Sequence, residues 1–120
     1  MKKILIIDDN SENREVLELL LEDEGFDTKA LAGPRDIDTV ISEFAPDLIL
    51  LDVMMPGYNG IEESLRIKSM PKFAHIKIVL LTASNAFKNL DQSSTLADAF
   101  IAKPFDIDEV TTLVKSLLKI

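Results

Sequence analysis

Short apolar runs alternate along this chain with stretches whose apolar residues recur every three or four positions. Five short runs predict β-strands, and they cover residues 3–7, 27–31, 47–51, 77–81 and 99–102 (KILII, DTKAL, DLILL, KIVLL and AFIA). Three of these runs are apolar throughout, which is typical of parallel strands that are covered on both faces. The run at 27–31 mixes polar and apolar residues, so we expect it at an edge of the sheet.

The stretches between the strands carry helical periodicity. An apolar stripe within residues 16–21 ends before Gly25, a residue type favoured just beyond a helix end. A second stripe covers residues 37–44, with Pro34 placed for the first turn of that helix. These patterns predict helices after the first and second strands.

The last two helical stretches differ in strength. Residues 107–118 have a clear apolar face, and Asp106 before them is a good N-cap residue. Residues 85–96 (NAFKNLDQSSTL) are rich in Asn, Ser and Thr, whose side chains compete with helical hydrogen bonds, so we expect a short or frayed helix there. The alternation reaches both termini without a linker, which predicts a single (βα)5 domain over residues 1–120.

Composition narrows the classes of function. A chain of 120 residues with 47% hydrophobic residues has the size and core of one folded domain. It has no cysteine, which excludes disulfides, thiolate nucleophiles and cysteine metal sites. No signal-peptide pattern or membrane-span pattern is present, so we expect a soluble, cytoplasmic protein without membrane contact. A net charge of −8 repels phosphate backbones and argues against direct nucleic-acid binding.

Polar residues follow four of the five predicted strands. Asp8 and Asp9 come after the first strand, Asp52 after the third, Thr82 after the fourth and Lys103 after the fifth. The carboxyl ends of parallel strands share one edge of the sheet, which is where ligands bind in this class of fold. Two carboxylates about 4 Å apart repel by on the order of 4 kcal/mol at an effective dielectric near 20. Either some of these three acids stay protonated or a cation lies among them. Oxygen ligands without His or Cys favour Mg²⁺, with Mn²⁺ as an alternative, and Lys103 adds a fixed positive charge.

Each of these residues alone has an ordinary structural explanation. The run Asp8-Asp9-Asn10 could simply cap the first helix. Asp52, Thr82 and Lys103 could be strand-end or loop residues with no further role. Convergence of four strand ends at one edge is what favours a joint functional site.

Four segments together resemble the response-regulator receiver domain, the phospho-acceptor module of two-component signalling. They are ILIIDDN, PDLILLDVMMPGYNGIE, IVLLTAS and IAKPF, and in this order and spacing the resemblance covers essentially the whole chain. It implies an α/β, flavodoxin-like (βα)5 fold with strand order 2-1-3-4-5 and helices on both faces. It also implies Mg²⁺-dependent transfer of a phosphoryl group from a phosphohistidine on a histidine kinase or a histidine phosphotransfer protein. Such a domain is not a conventional enzyme, because it catalyses only its own phosphorylation and slow dephosphorylation.

The resemblance implies a role for each residue of the predicted site. Asp52 would be the nucleophile that becomes 4-aspartylphosphate, and Thr82 and Lys103 would contact phosphoryl oxygens. Asp9 and Asp52 would bind Mg²⁺ directly, and Asp8 would bind it mostly through water.

Further residues complete the metal site and tune the signal. The backbone carbonyl of Met54 would complete the protein ligands of the metal. Met54 and Ser84, two residues beyond Asp52 and Thr82, would tune hydrolysis of the phosphate, and neither can orient a water strongly. Pro104 would form a fixed turn beside Lys103, and the sequence leaves its isomer open.

The resemblance also implies an output mechanism. Thr82 would move toward the phosphate, and Phe100 would fill the space it leaves. The surface of residues 85–120 would then change for an unidentified downstream partner, the chain being a monomer or a phosphorylation-dependent dimer. Two departures from the family pattern affect this region: SSTLADAF lacks the usual Gly, and the interval from Thr82 to Lys103 is one residue short.

Three other functions remain open on the sequence. An aspartyl-phosphate phosphatase would need an acid two residues after the nucleophile, where this chain has Met54. A flavin-binding electron carrier would need a Ser/Thr/Gly-rich phosphate loop after the first strand, where this chain has DDNSENRE. A phosphorylation-independent binding module would not need the complete set of site residues that this chain retains.

Overall fold

The computed structural model describes residues 2–83 and 92–120. In chain order the elements are β1 (Lys3–Ile7), α1 (Ser11–Asp23), β2 (Asp27–Leu31), α2 (Ile37–Phe44), β3 (Leu48–Asp52), β4 (Met54–Met55), β5 (Tyr58–Asn59), α3 (Gly60–Lys68), β6 (Lys77–Ala83), α4 (Gln92–Thr95), β7 (Ala99–Lys103) and α5 (Ile107–Leu118). Five strands form one parallel sheet in the order β2-β1-β3-β6-β7, and β4 and β5 form a separate antiparallel pair. The predicted strand order 2-1-3-4-5 is confirmed when β6 and β7 are counted as the fourth and fifth strands of the sheet.

The sheet has a core on each face, because every buried strand residue points to one side or the other. On one face, β-strand side chains pack with Ile37 and Ile41 of α2 and Ile67 of α3. On the other face they pack with α1 and α5, whose core residues are Leu17, Leu21, Val110 and Val114. All five residues of the central strand β3 are buried. The predicted coverage of both faces by helices is confirmed.

The five predicted strands are confirmed, with small shifts at their ends. β3 begins at Leu48, one residue later than expected, and β6 and β7 continue to Ala83 and Lys103. The mixed strand β2 lies at an edge, as its polar residues predicted. The short strands β4 and β5 were not predicted, because two residues are too few to give a periodic pattern. They flank Pro56 and Gly57, and Gly57 has a φ of +71°.

Two helices begin with a side-chain cap, as predicted for Asp106, and a third helix begins later than predicted. Asn10 caps α1 by accepting a hydrogen bond from the backbone of Asn13, and Asp106 caps α5. The prediction that Pro34 lies in the first turn of α2 was wrong. That helix begins at Ile37, whose N–H is bonded to the carbonyl of Pro34 in a preceding turn.

Two polar contacts tie α3 to neighbouring elements. Buried Ser64 donates to the carbonyl of Thr95 at 2.7 Å, which joins α3 to α4. Lys68 pairs with Asp98 at 3.0 Å, and Asp98 in turn accepts the N–H of Ile78 at the start of β6. Most of the predicted weak helix at 85–96 lies outside the described residues; within them, α4 has only four residues. Among the helices of residues 2–83 and 92–120, none has the length and apolar character that a membrane crossing requires.

A pair of substitutions at helix ends tests the backbone geometry. Ala45 ends α2 with a φ of +54°, whereas Gly25 has a φ of +93° beyond α1. Because a side chain is disfavoured in this region, Ala45→Gly should stabilise the protein by about 0.5–1 kcal/mol, and Gly25→Ala should destabilise it by about 1 kcal/mol. Urea unfolding measures both. A Gly25→Ala variant as stable as the wild type would contradict this assignment, since no atom crowds an added Cβ there.

Candidate functional site

Strand pairing brings the predicted site residues to the carboxyl edge of the sheet. Ile7 of β1 pairs with Leu51 of β3, so Asp8 and Asp52 follow neighbouring positions on adjacent strands. Asp52 itself pairs with Leu81, the residue before Thr82. On the far side of β6, Ala83 pairs with Lys103 of β7. The convergence that the sequence predicted is therefore present in the structure.

Three carboxylates meet at this edge. Asp8, Asp9 and Asp52 each offer an oxygen, and these three oxygens lie within 4.8 Å of one another. Asp8 is fully buried and Asp52 is 3% exposed, whereas Asp9 is exposed. Within the described part of the chain, this is the one acidic group close enough to hold a metal ion. The arrangement offers oxygen ligands of the kind that a hard cation prefers.

Lys103 bridges the two buried carboxylates. Its Nζ lies 3.2 Å from Asp8 Oδ2 and 3.1 Å from Asp52 Oδ2. The lysine is the last residue of strand β7, and its peptide bond to Pro104 is cis. A buried carboxylate is costly unless it is paired, so this ammonium group compensates part of the charge of both acids.

Asp8 also receives hydrogen bonds from the start of α1. The N–H of Asn10 donates to Asp8 Oδ1 at 2.9 Å, and the amide of Asn13 donates to Asp8 Oδ2 at 3.3 Å. Arg14 donates to the backbone carbonyl of Asp8 at 2.7 Å. Because the side chain of Asn10 supplies the cap of α1, the simple capping explanation for the two aspartates does not hold.

Asp52 titrates unusually for a carboxylic acid. Burial raises its pKa to about 6, and the negative charge of Asp8 acts in the same direction. The hydrogen bond from Lys103, the positive charge of that lysine and the Met54 N–H, which donates to Asp52 Oδ1 at 3.3 Å, lower the pKa. Desolvation is the largest of these effects, so Asp52 takes up a proton closer to neutral pH than an ordinary aspartate does.

Thr82 and Phe100 lie on the paired strands β6 and β7. Thr82 is 1% exposed and donates weakly to the carbonyl of Ala83 at 3.4 Å. Phe100, on the neighbouring strand β7, is partly buried and packs against the core on the α2 and α3 face. Movement of either residue remains a prediction.

Of the two positions predicted to tune hydrolysis, Met54 lies within the described residues. The Met54 side chain is 75% exposed, while its N–H is bonded to Asp52. The prediction that its carbonyl binds the metal remains untested. Ser84 lies outside the described residues.

Three residues near the site had no predicted role. A Cβ at Gly60 would lie 2.2 Å from the backbone oxygen of Asp52, so α3 can begin against the end of β3 only because this residue is glycine. Asn13 and Arg14 contact Asp8 from α1. Their spacing along a helix gives no signal of these contacts. Gly60 stands in the segment PDLILLDVMMPGYNGIE, where a glycine can indicate a close approach of backbones.

Comparison with known proteins gives the family. A family model described as the response regulator receiver domain matches residues 4–115. The chain therefore belongs to the response-regulator receiver family.

Individual relatives agree with this assignment. The chain is 39% identical to sporulation initiation phosphotransferase F of Bacillus subtilis over 98% of its own length and 94% of that protein. It is 37% identical over 98% of its length to the phosphate regulon regulator PhoB of Pseudomonas aeruginosa. It spans about half the length of PhoB, as it does for other curated relatives that it matches.

A solved structure confirms the fold. The response regulator TrrA of Thermotoga maritima, crystallised in complex with Mg²⁺ and BeF, superposes with a TM-score of 0.84 at 33% identity. The match covers 98% of this chain and 99% of TrrA. The flavodoxin-like fold and membership of the two-component signalling class are thereby confirmed.

The raised pKa of Asp52 predicts a pH-dependent effect of removing its charge. A carboxyl whose pKa rises from 3.8 to about 6 on folding destabilises the folded state as it ionises, with full effect above pH 6 and none below pH 4. Without divalent cations, Asp52→Asn should therefore raise the melting temperature at pH 7.5, and the gain should vanish near pH 4.

Asp38 supplies the matched control for this measurement. The hydrogen bond from Arg66 lowers the pKa of Asp38, so its ionised form stabilises the folded state. Asp38→Asn should therefore lower the melting temperature at pH 7.5, and the loss should shrink toward pH 3. Equal shifts at pH 4 and pH 7.5 for Asp52→Asn would contradict the assigned titration.

Proposed function

We propose that residues 1–120 form one receiver domain whose Asp52 accepts a phosphoryl group from a phosphohistidine. The donor would be a histidine kinase or a histidine phosphotransfer protein, in a cytoplasmic two-component system or phosphorelay. The observation that carries the proposal is the cluster of Asp8, Asp9 and Asp52 with Lys103 at the carboxyl edge of the sheet. Family membership supports it, since receiver domains of response regulators are signalling domains and not conventional enzymes.

The chemistry follows from the position of Asp52. One of its carboxylate oxygens would attack the phosphorus as the bond to the histidine nitrogen of the donor breaks, giving 4-aspartylphosphate and a neutral histidine after proton uptake. Thr82 and Lys103 would hold phosphoryl oxygens. Because Lys103 already contacts Asp52, a small movement of its ammonium group would bring it onto the new phosphate.

The donor set fits Mg²⁺, with Mn²⁺ as the alternative. The oxygens of Asp8, Asp9 and Asp52 lie within 4.8 Å of one another, near enough for one hard cation to reach them directly or through water. Asp9 and Asp52 would bind the ion directly, with Asp8 through water and the carbonyl of Met54 as a further ligand. A bound ion would offset the charge of the phosphoryl group during transfer. The complex of TrrA with Mg²⁺ and BeF supports this choice for a relative of the same fold.

The output would pass through Thr82 and Phe100 to the surface of residues 85–120. Phe100 would move toward the space that Thr82 leaves, and α4, α5 and β7 would present the altered surface to an unidentified protein. The contact between Ser64 and Thr95 gives α4 a direct link to α3, whose first residue lies against Asp52. The alternatives are a phosphorylation-independent binding module and, with less support, an aspartyl-phosphate phosphatase. A phosphatase of this kind would need a carboxylate at position 54, where the chain has an exposed Met.

Intact-mass measurement after incubation with acetyl phosphate tests the proposed phosphorylation site. One phosphoryl group should add to the wild type in the presence of Mg²⁺, and Asp52→Asn should abolish the addition. Asp47→Asn is the matched control, because Asp47 precedes the other end of β3 and bonds to the backbone of Lys3. Labelling that persists in Asp52→Asn, or without divalent cations, would refute the assigned site.

The lifetime of the phosphate tests the role of position 54. Hydrolysis needs a water aligned behind the phosphorus, and an exposed methionine can obstruct that water but cannot orient it. Met54→Asn should therefore shorten the lifetime of the phosphorylated protein severalfold, and Ser84→Glu should also shorten it. Positioned proton-transfer groups in general accelerate a reaction by roughly 10²–10⁴-fold, and an amide should give much less. Met54→Leu keeps an apolar side chain and should decay like the wild type. The same decay rate in all four proteins would exclude tuning by these positions.

A further inference from the structure

Asn13 makes a contact that its place in the sequence does not indicate. It is the third residue of α1, and its backbone N–H donates to Asn10 Oδ1 at 3.0 Å as part of the helix cap. Its side-chain amide points back toward the sheet and donates to Asp8 Oδ2 at 3.3 Å. The amide of the half-buried Asn13 therefore donates to a fully buried carboxylate of the acidic cluster.

The amide shares one oxygen of Asp8 with the ammonium group of Lys103. Lys103 Nζ lies 3.2 Å from the same Oδ2, while Oδ1 accepts the N–H of Asn10. The two donors on Oδ2 differ in charge. Lys103 compensates the carboxylate but also repels a divalent cation, whereas the amide of Asn13 satisfies the oxygen without adding a net charge.

We infer that Asn13 is a positioning residue of the magnesium site, which holds Asp8 in place for cation binding. This inference rests on the proposed function, in which Lys103 turns to the phosphoryl group. When the lysine does so, Asp8 loses a side-chain donor, and the Asn13 amide keeps the carboxylate oriented beside Asp9 and Asp52. Donors that orient the acids around a metal typically change metal affinity by about 10–100-fold. Before phosphorylation, the Asn10 N–H and Lys103 also donate to the Asp8 carboxylate and share this task.

The experiment measures Mg²⁺ affinity separately from stability. Urea unfolding at increasing Mg²⁺ concentration and constant ionic strength gives an apparent Kd from the rise in unfolding free energy above each protein's own Mg²⁺-free value. Asn13→Leu keeps the volume and removes the donor, and should raise the apparent Kd about 3–10-fold, below the usual range because Asn10 and Lys103 remain. Labelling by acetyl phosphate gives a second readout. In Asn13→Leu, the Mg²⁺ concentration that gives half of the maximal labelling rate should rise by a larger factor than the labelling rate at saturating Mg²⁺ falls.

Thr28→Val is the matched control. It removes another side-chain hydrogen bond to a carboxylate on α1, from Thr28 to Glu22 at 2.8 Å, at the opposite end of the helix. It should keep the apparent Kd within about twofold of the wild type, even where its Mg²⁺-free stability falls.

The outcomes separate this inference from the proposed function. A wild type that gains stability from Mg²⁺, together with an Asn13→Leu variant of unchanged apparent Kd, would overturn the role of Asn13 and leave the magnesium site standing. An equal rise in apparent Kd for Asn13→Leu and Thr28→Val would also overturn it, since it would show that any weakening of the contacts of α1 lowers Mg²⁺ affinity. No response of the wild type to Mg²⁺ would overturn the magnesium site and the inference together.

Discussion

The candidate site depends on the in-register parallel pairing of β1, β3, β6 and β7. Because these strands point the same way, each ends at the same edge and delivers its next residue there. A shift of β3 by one position would turn Asp52 toward a helix-covered core and bring an apolar residue to the rim. The burial of all five β3 residues opposes such a shift, since it would expose or strain side chains on both faces. Hydrophobic packing on the two faces thus fixes the spacing of the charged groups at the edge.

Burial of acidic side chains at this edge is electrostatically unfavourable. Packing places two acids, Asp8 and Asp52, where water reaches them poorly, and desolvation raises the pKa of Asp52. Lys103 compensates both acids, and the donors of Asn10 and Asn13 satisfy Asp8 further. A cation that approached Asp52 would favour the ionised form of its carboxyl and lower its pKa. The ionisation of an acid held in this way depends on the charges that approach it.

The sequence predicted the sheet and the composition of the site because both follow from one-dimensional patterns. Apolar runs mark strands covered on both faces, and the residue after each run must lie at the carboxyl edge, which is why Asp52 and Lys103 could be placed without coordinates. The start of α2 was misjudged because Pro34 also suits a turn, and the chain closes such a turn before Ile37. The contacts of Asn13 and Gly60 could not be predicted, because they depend on how a helix start lies against a strand end. Periodicity carries no information on that distance.

The ammonium group of Lys103 competes with free cations for the carboxylates of Asp8 and Asp52. Lys103 is covalently tethered within about 3 Å of two of the three carboxylates, so its effective local concentration is far above that of any free ion. A divalent ion would therefore have to displace or share these contacts, and its affinity would be the difference between two favourable arrangements. A cation bound against this competition would exchange readily with the solvent. Its occupancy would follow the surrounding cation concentration, and a phosphoryl group that draws the lysine away would tighten the hold on the metal.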